Sequence, residues 1–177
     1  MAKKPAPAKN ASKIKAVPRL STQTDLSDNA IPEIAEALNG LVADSYALYT
    51  KTKNFHWHVS GPHFRDYHLL FDEQAAEIFA TIDDLAERVR KLGARTIHSI
   101  GEIAKLQTIA DNDKDYVAPG DMLAELMNDN KLVIKRMRAA HEIADRHEDV
   151  ATASILENFI DAAEKRNWFL FEASRKG

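Results

Sequence analysis

The chain has 177 residues, of which 45% are hydrophobic and 29% are charged, a composition typical of one soluble domain with a substantial core. It contains no cysteine, which excludes disulfides, thiolate metal sites, iron–sulfur clusters and cysteine nucleophiles. No apolar run approaches the roughly 20 residues of a membrane span and no stretch is typical of a signal peptide, so we expect a cytoplasmic protein.

The first 19 residues are strongly basic. They carry six cations and no acidic residue, a charge of +6, whereas residues 20–177 carry 18 basic and 27 acidic residues, a charge of −9. Prolines and the lack of a helical period predict a flexible tail, which we place at residues 1–24. A cationic tail on an anionic body favours a polyanionic partner, and the alternative is a solubilising extension. The cations are Lys3, Lys4, Lys9, Lys13, Lys15 and Arg19.

Hydrophobic spacing predicts long helices and no strand in residues 25–177, which we expect to form one domain. The first helix follows N-cap candidates at residues 27–29 and runs to about His58. Residues 60–62 (Ser-Gly-Pro) break the chain, and the second helix then extends to Gly93, a residue suited to end a helix.

A long connection over residues 94–118 separates this helix pair from a second pair. It includes a predicted short helix, because residues 99–102 (Ser-Ile-Gly-Glu) match a capping box. The third long helix opens at Pro119, and a break near residues 147–149 precedes the fourth. Two short turns and one long crossover predict an all-α, ferritin-like four-helix bundle with a short helix in the crossover.

Potential metal ligands lie on one stripe of the predicted second helix. They form two pairs with a spacing of four residues, so that each pair shares a helix face. The centres of the pairs are more than about 20 Å apart along the helix axis, so one ion cannot bind both pairs within one chain. Two antiparallel copies of the helix across a two-fold axis would bring the first pair of one copy to the second pair of the other. The pairs are His68 with Asp72 and Asp83 with Glu87.

His56 ends the first helix and could join His68, because only a short turn separates the two helices. Imidazole with carboxylate suits Fe, Zn or Mn. No glutamate has a histidine three residues later, which argues against a di-iron site inside one bundle and favours a site between subunits. The alternative is that each pair belongs to a solvated helix face.

Residues 53–64 (KNFHWHVSGPHF), together with the ligand pairs that follow, resemble the Dps family (DNA-binding protein from starved cells). The resemblance covers about residues 25–175. It implies a hollow homododecamer with a di-iron or mono-iron ferroxidase centre at each two-fold interface. One subunit would supply His56, His68 and Asp72, and its partner would supply Asp83 and Glu87.

The resemblance also implies the chemistry. Fe(II) would be oxidised, preferably by hydrogen peroxide, and ferric mineral would be stored in the shell. Trp57 resembles a family tryptophan that supplies an electron or quenches radicals, and its alternative role is core packing. His58 and His63 do not match ligands. The basic tail would bind double-stranded DNA without sequence preference, in the nucleoid, because lysines neutralise phosphates without reading bases.

An iron-entry pore is implied near the turn between the third and fourth helices, where Asp145, Glu148 and Asp149 lie. Clefts of one sign of charge concentrate the opposite ion, although a solvated turn is the alternative. Two other functions compete with the ferroxidase hypothesis. One is a structural nucleoid-associated DNA-binding protein with little ferroxidase activity, and the other is a di-iron oxidase of an organic substrate.

Overall fold

The structure, a computed structural model, describes residues 18–175, and these residues form helices without strands. One antiparallel hairpin joins α1 to α2, a second joins α4 to α5, and α3 lies in the crossover against α1. The predicted all-helical bundle with a short crossover helix is thereby confirmed. None of the helices among the described residues is long and apolar enough to cross a membrane. The helices are α1 (Ala30–His58), α2 (Phe64–Lys91), α3 (Ile100–Leu106), α4 (Pro119–Arg146) and α5 (Val150–Ala173).

The ends of α2 follow the predicted glycine signals. Gly61 has φ +98° in the turn before the helix, and Gly93 has φ +80° after it. The amide of Gly93 donates to the Arg90 carbonyl oxygen at 3.0 Å, and the amide of Ala94 donates to the Val89 carbonyl oxygen at 3.2 Å. These two bonds form a Schellman motif, which satisfies carbonyls that the helix end would leave unpaired.

The capping box of α3 forms only in part. The Ser99 hydroxyl accepts from the Glu102 amide at 3.2 Å, as predicted. The Glu102 carboxylate accepts from the His98 amide at 2.9 Å and from the Arg95 guanidinium, and not from the Ser99 amide. Arg95 lies in the crossover, so its ion pair with Glu102 links the crossover to the first turn of α3.

A buried carboxylate fastens the crossover to the bundle. Asp44 of α1 is fully buried and accepts hydrogen bonds from the Thr108 amide at 2.5 Å and the Ile109 amide at 3.2 Å. It also pairs with the guanidinium of Arg136 on α4. A buried charge is tolerated only with such partners, so Asp44 joins α1, the crossover and α4 at one point.

The chain before α1 packs against the end of α2. Arg90 donates to the Leu20 carbonyl oxygen at 2.9 Å, and the Thr22 hydroxyl donates to the Arg90 carbonyl oxygen at 3.2 Å. A Cβ atom on Gly93 would lie 2.8 Å from the Thr22 nitrogen, so glycine permits this close approach. Residues 20–22, at the end of the predicted flexible tail, therefore contact the bundle. Arg19 is exposed, and the five tail lysines lie outside the described residues.

Asp149 caps α5 and pairs with α2. Its carboxylate accepts from the Thr152 amide at 3.0 Å and from Arg88 Nη2 at 2.6 Å, and the residue is 3% exposed. Burial alone would raise the pKa of Asp149, but the hydrogen bonds from Arg88 and Thr152 outweigh burial and lower it. The carboxylate is therefore held ionised, as a structural link between the two hairpins.

Replacing Asp149 with alanine is expected to lower the free energy of unfolding by about 2–4 kcal/mol at pH 7, because the α5 cap and the partner of Arg88 are both lost. Since the folded pKa is lowered, this stabilisation is complete above the ordinary aspartate pKa of about 3.9 and is lost as the pH falls through the folded value. Thermal unfolding of wild type and variant should therefore converge in acid. Asp161→Asn, an exposed carboxylate on the same helix, is the control, and equal midpoints of wild type and Asp149→Ala at pH 7 would contradict the prediction.

Candidate metal centre

The turn between α1 and α2 brings two histidines together. His56 lies two residues before the end of α1, and His68 lies in the second turn of α2. Their rings stack with centroids 3.8 Å apart and an interplanar angle of 24°. His56 is buried and His68 is half-buried. The structure therefore brings together the two histidines that the sequence places on either side of the turn.

Each of these histidines is hydrogen-bonded to the backbone of the other. His56 Nδ1 lies 2.8 Å from the His68 carbonyl oxygen, and His68 Nδ1 lies 2.8 Å from the His56 carbonyl oxygen. A carbonyl oxygen can only accept, so Nδ1 is the donor in both rings, and Nε2 is the nitrogen that remains available to a metal. Metal-binding histidines are commonly oriented by such a bond from the other ring nitrogen. Both imidazoles are thus held in the tautomer that can bind a metal through Nε2.

Asp72 lies one turn after His68, as the four-residue spacing predicts. Its Oδ1 atom is 3.9 Å from His56 Nε2 and 2.6 Å from Lys53 Nζ. The hydrogen bond from Lys53 is the main cause that holds the pKa of Asp72 below its usual value, and the side chain, which is 54% exposed, is ionised. His56, His68 and Asp72 therefore form one contact group at this end of α2.

Lys53 is a site residue that the sequence interpretation missed. Its position one turn before His56 places both side chains on one face of α1, and this spacing is the sequence signal for the contact. The Lys53 ammonium is paired with the Asp72 carboxylate, so it would compete with any metal cation that binds this carboxylate. The ion pair with Asp72 therefore has to open when a metal takes that oxygen.

The second ligand pair stands apart at the other end of α2. Asp83 and Glu87 are both exposed; Glu87 contacts Lys91 at 3.4 Å, and Asp83 has no side-chain partner among residues 18–175. Within that described part of the chain, no group of three or more histidine, aspartate or glutamate side chains is arranged to hold a metal ion. The structure thus places the predicted ligands in two separate half-sets, one near each end of α2.

The aromatic and histidine neighbours of the site are solvent-facing. Trp57 is 62% exposed, so its alternative role in core packing is wrong for the single chain. The Lys53 ammonium lies 5.9 Å from the centroid of the Trp57 ring. His58 is exposed and bonds to the Asn54 carbonyl oxygen, and His63 is exposed beside a tyrosine ring. Neither histidine joins the contact group.

The three predicted pore residues separate into two kinds. Asp145 and Glu148 are exposed near the turn between α4 and α5. Asp149 is buried and its carboxylate is occupied by Arg88 and Thr152, as described above. The prediction that Asp149 lines a pore is therefore wrong, because a buried cap offers no free charge to an entering ion.

Two helical hairpins, a long crossover and histidine–carboxylate pairs define a ferritin-like protein, and the ferritin-like domain family matches residues 35–176. The chain is 34% identical over 137 residues to the DNA protection during starvation protein of Brevibacillus brevis, covering 77% of this chain and 91% of that protein. It is similar to the X-ray structure of Dps from Thermosynechococcus elongatus, with a TM-score of 0.81, 32% identity, and coverage of 84% of this chain and 94% of that one. The chain belongs to the Dps family.

A Dps protein from Vibrio cholerae O1 is similar as well. Its crystal structure gives a TM-score of 0.82 at 26% identity and covers 94% of this chain and all of that one. That protein is described as a member of a broad superfamily of ferritin-like diiron-carboxylate proteins.

Proposed function

We propose that this protein protects DNA and stores iron by oxidising Fe(II) at centres shared between two subunits. The observation that carries the proposal is the pair of stacked imidazoles, His56 and His68, both oriented through Nδ1, with His56 Nε2 3.9 Å from the Asp72 carboxylate. This donor set fits iron, because imidazole and carboxylate both bind it and no thiolate competes. Iron is the substrate here, and the stored product is ferric mineral.

The second half of each centre comes from the partner in this proposal. The two ligand pairs of α2 are centred more than about 20 Å apart, so both pairs serve one ion only when two copies of α2 lie antiparallel. The centre then combines His56, His68 and Asp72 with Asp83 and Glu87 of the partner subunit. Two-fold symmetry gives two such centres for each pair of subunits.

The residues suit both oxidation states of the metal. Neutral imidazoles hold Fe(II) without adding charge, and carboxylates favour the harder Fe(III) as it forms. Hydrogen peroxide, the proposed preferred oxidant, takes one electron from each of two Fe(II) ions and two protons, and it leaves as two waters. No hydroxyl radical is released in this two-electron reduction, which is the proposed basis of DNA protection. Trp57 stands beside the centre as a reductant for any one-electron product.

Size-exclusion chromatography after addition of Fe(II) and hydrogen peroxide tests this function. Twelve chains of 19.8 kDa give about 238 kDa, and we expect ferric absorbance to elute with protein of that size. A full-size shell without iron would leave the structural DNA-binding alternative. A small species without iron would contradict both the shared centre and the shell.

Replacing Lys53 with methionine is expected to tighten anaerobic Fe(II) binding a few-fold, because the ammonium no longer competes for the Asp72 carboxylate. Titration calorimetry with Fe(II) measures the effect. Lys105→Met, which removes an exposed charge on α3, is the control. Unchanged or weaker binding by the Lys53 variant would show that the lysine does not compete with the metal.

Asp145 and Glu148 are proposed to line an iron-entry pore in the shell. Replacing them together with Asn and Gln is expected to slow iron uptake while the shell keeps its size, because the local attraction for cations is lost. Stopped-flow ferric absorbance measures uptake, and Asp113→Asn with Asp115→Asn, exposed carboxylates of the crossover, provides a control of equal charge. An uptake rate equal to that of the control would remove the pore from the proposal.

The DNA-binding role is assigned to the basic tail. Its lysines contact phosphates without reading bases, so binding is independent of sequence and sensitive to salt. The remaining chain carries a charge of −9 and repels DNA. The tail therefore has to bridge the distance between the body and the duplex.

A further inference from the structure

The middle of α2 presents a small apolar surface between the two ligand pairs. Ala76, Phe79 and Ala80 are exposed there, and the Phe79 side chain is 52% exposed although it is large and apolar. The Phe79 ring leans on Tyr49 of α1, with centroids 5.1 Å apart. A phenylalanine held outward in this way is available to a partner surface.

A hollow lies directly beside this ring. It has a volume of about 230 Å³, and two alanines of α2 are among its lining residues. Asp72 and Lys53 form its edge, so the hollow adjoins the candidate metal centre. The lining residues are Tyr49, Lys53, Asp72, Ala75, Ala76 and Phe79.

The spacing of the ligands places the two-fold axis at this surface. In the proposed centre His68 faces Glu87 of the partner subunit, and Asp72 faces Asp83 of the partner subunit. Both pairs have the same midpoint, which falls between residues 77 and 78. With that axis, Phe79 of one subunit faces Ala76 of the partner subunit. This register was derived from the ligand pairs alone. It nevertheless places the exposed Phe79 ring of one subunit at the hollow of the partner subunit.

We propose that Phe79 of each subunit enters the hollow over Ala75 and Ala76 of the partner subunit and sets the register that completes the metal centre. The inference rests on the proposed function. Small residues at the crossing allow two helix axes to approach to about 8 Å, and the rings fill the space that remains. Charge complementarity supports a second copy as the occupant. In this register the basic Lys53 of one subunit lies near the acidic Asp83 and Glu87 of the partner subunit.

A shift of one copy of α2 along the other by one helical turn is disfavoured in both directions. In one direction His68 would face Lys91 of the partner subunit, so that a ligand meets a cation. In the other direction Phe79 would face Asp72 of the partner subunit, so that an apolar ring covers a carboxylate. Phe79 is therefore a positioning residue, which holds the two half-sets of ligands opposite each other and does not itself touch iron.

Engineered disulfides test the register, because the natural chain has no cysteine. A disulfide forms only where the two Cα atoms lie about 4.4–6.8 Å apart. Coexpressed Ala76→Cys and Phe79→Cys chains are expected to give a covalent dimer after mild oxidation. Coexpressed Ala76→Cys and Asp83→Cys chains, which would face each other after a one-turn displacement, are expected to stay monomeric on a non-reducing gel. The opposite pattern, or no covalent dimer from either mixture, would overturn the proposal.

Substitution of Phe79 tests its effect on the centre. Phe79→Ala is expected to slow Fe(II) oxidation by at least about tenfold, because small displacements of reacting groups are costly. Phe79→Met should restore most of the rate, since it fills the hollow again. Phe171→Ala is the matched control, because Phe171 is 50% exposed on α5. Wild-type rates in Phe79→Ala would overturn the positioning role.

The two proposals fail separately. If the 76–79 disulfide forms but the natural chain does not oxidise Fe(II), the register stands and the proposed function fails. If the natural chain oxidises Fe(II) but the 76–83 disulfide forms, the proposed function stands and the register fails.

Discussion

Chains that carry His68→Ala and chains that carry Asp83→Ala are each expected to lose iron oxidation, and shells assembled from both are expected to regain it. The reason is that each variant damages a different half of every shared centre. In a mixed pair of subunits, one centre combines the intact His68 half of one chain with the intact Asp83 half of the other. The second centre of that pair carries both defects.

The size of the recovery follows from symmetry. Random assembly makes half of all subunit pairs mixed, and one of the two centres in each mixed pair is intact, so we expect about one quarter of the wild-type rate. Initial rates of ferric absorbance after coexpression or after dissociation and reassembly give the measurement. Few other substitutions change the activity from absent to present.

The control places both substitutions in one chain. The His68→Ala/Asp83→Ala chain alone is expected to be inactive, and it should still assemble because neither side chain is part of the core. A centre formed within one chain predicts no recovery in the mixture of single variants at any ratio. That outcome would remove the intersubunit arrangement.

Deletion of residues 2–19 is expected to abolish retardation of DNA in a gel and to leave Fe(II) oxidation at its wild-type rate. The deletion removes a charge of +6 from each chain, and a dozen tails on one shell act together through avidity. Each phosphate contact contributes about 0.9 to the slope of log affinity against log salt on duplex DNA. Binding by the full chain should therefore weaken steeply as salt is raised.

The deletion ends before the segment that packs on α2, so Leu20 keeps its bond to Arg90. A chain with Lys105, Lys114 and Lys131 replaced by glutamine is the control, because it loses exposed cations of the body instead of the tail. Retardation that persists after the deletion would assign DNA binding to another surface.

The fold could be predicted from sequence because its signals are local. Gly93, Pro119 and Ser99 mark helix ends through backbone conformation and capping, which depend on a few neighbouring residues. The two ligand pairs were found for the same reason, since a four-residue spacing defines a helix face. Hydrophobic periodicity and helix caps together were sufficient to predict the number and order of the long helices.

The features that sequence reasoning missed depend on residues far apart in the chain. Asp149 pairs with Arg88 across 61 positions, and Asp44 binds the amide of Thr108 across 64 positions. The cap that Asp149 provides to α5 is a local feature, but no local pattern shows that Asp149 pairs with Arg88 or that Asp44 is buried. The tautomer of His56 likewise depends on a carbonyl oxygen on the next helix.

The contact between Arg90 and the Leu20 carbonyl oxygen fixes the point on the bundle from which the proposed DNA-binding tail extends. Leu20 is held against α2 by this contact, and in the proposed function each tail residue before it adds at most about 3.6 Å of reach. A duplex rises 3.4 Å per base pair, so in that proposal each tail residue extends the reach along DNA by about one base pair. Under the proposed function, the zone in which a shell captures DNA is measured outward from this point on α2.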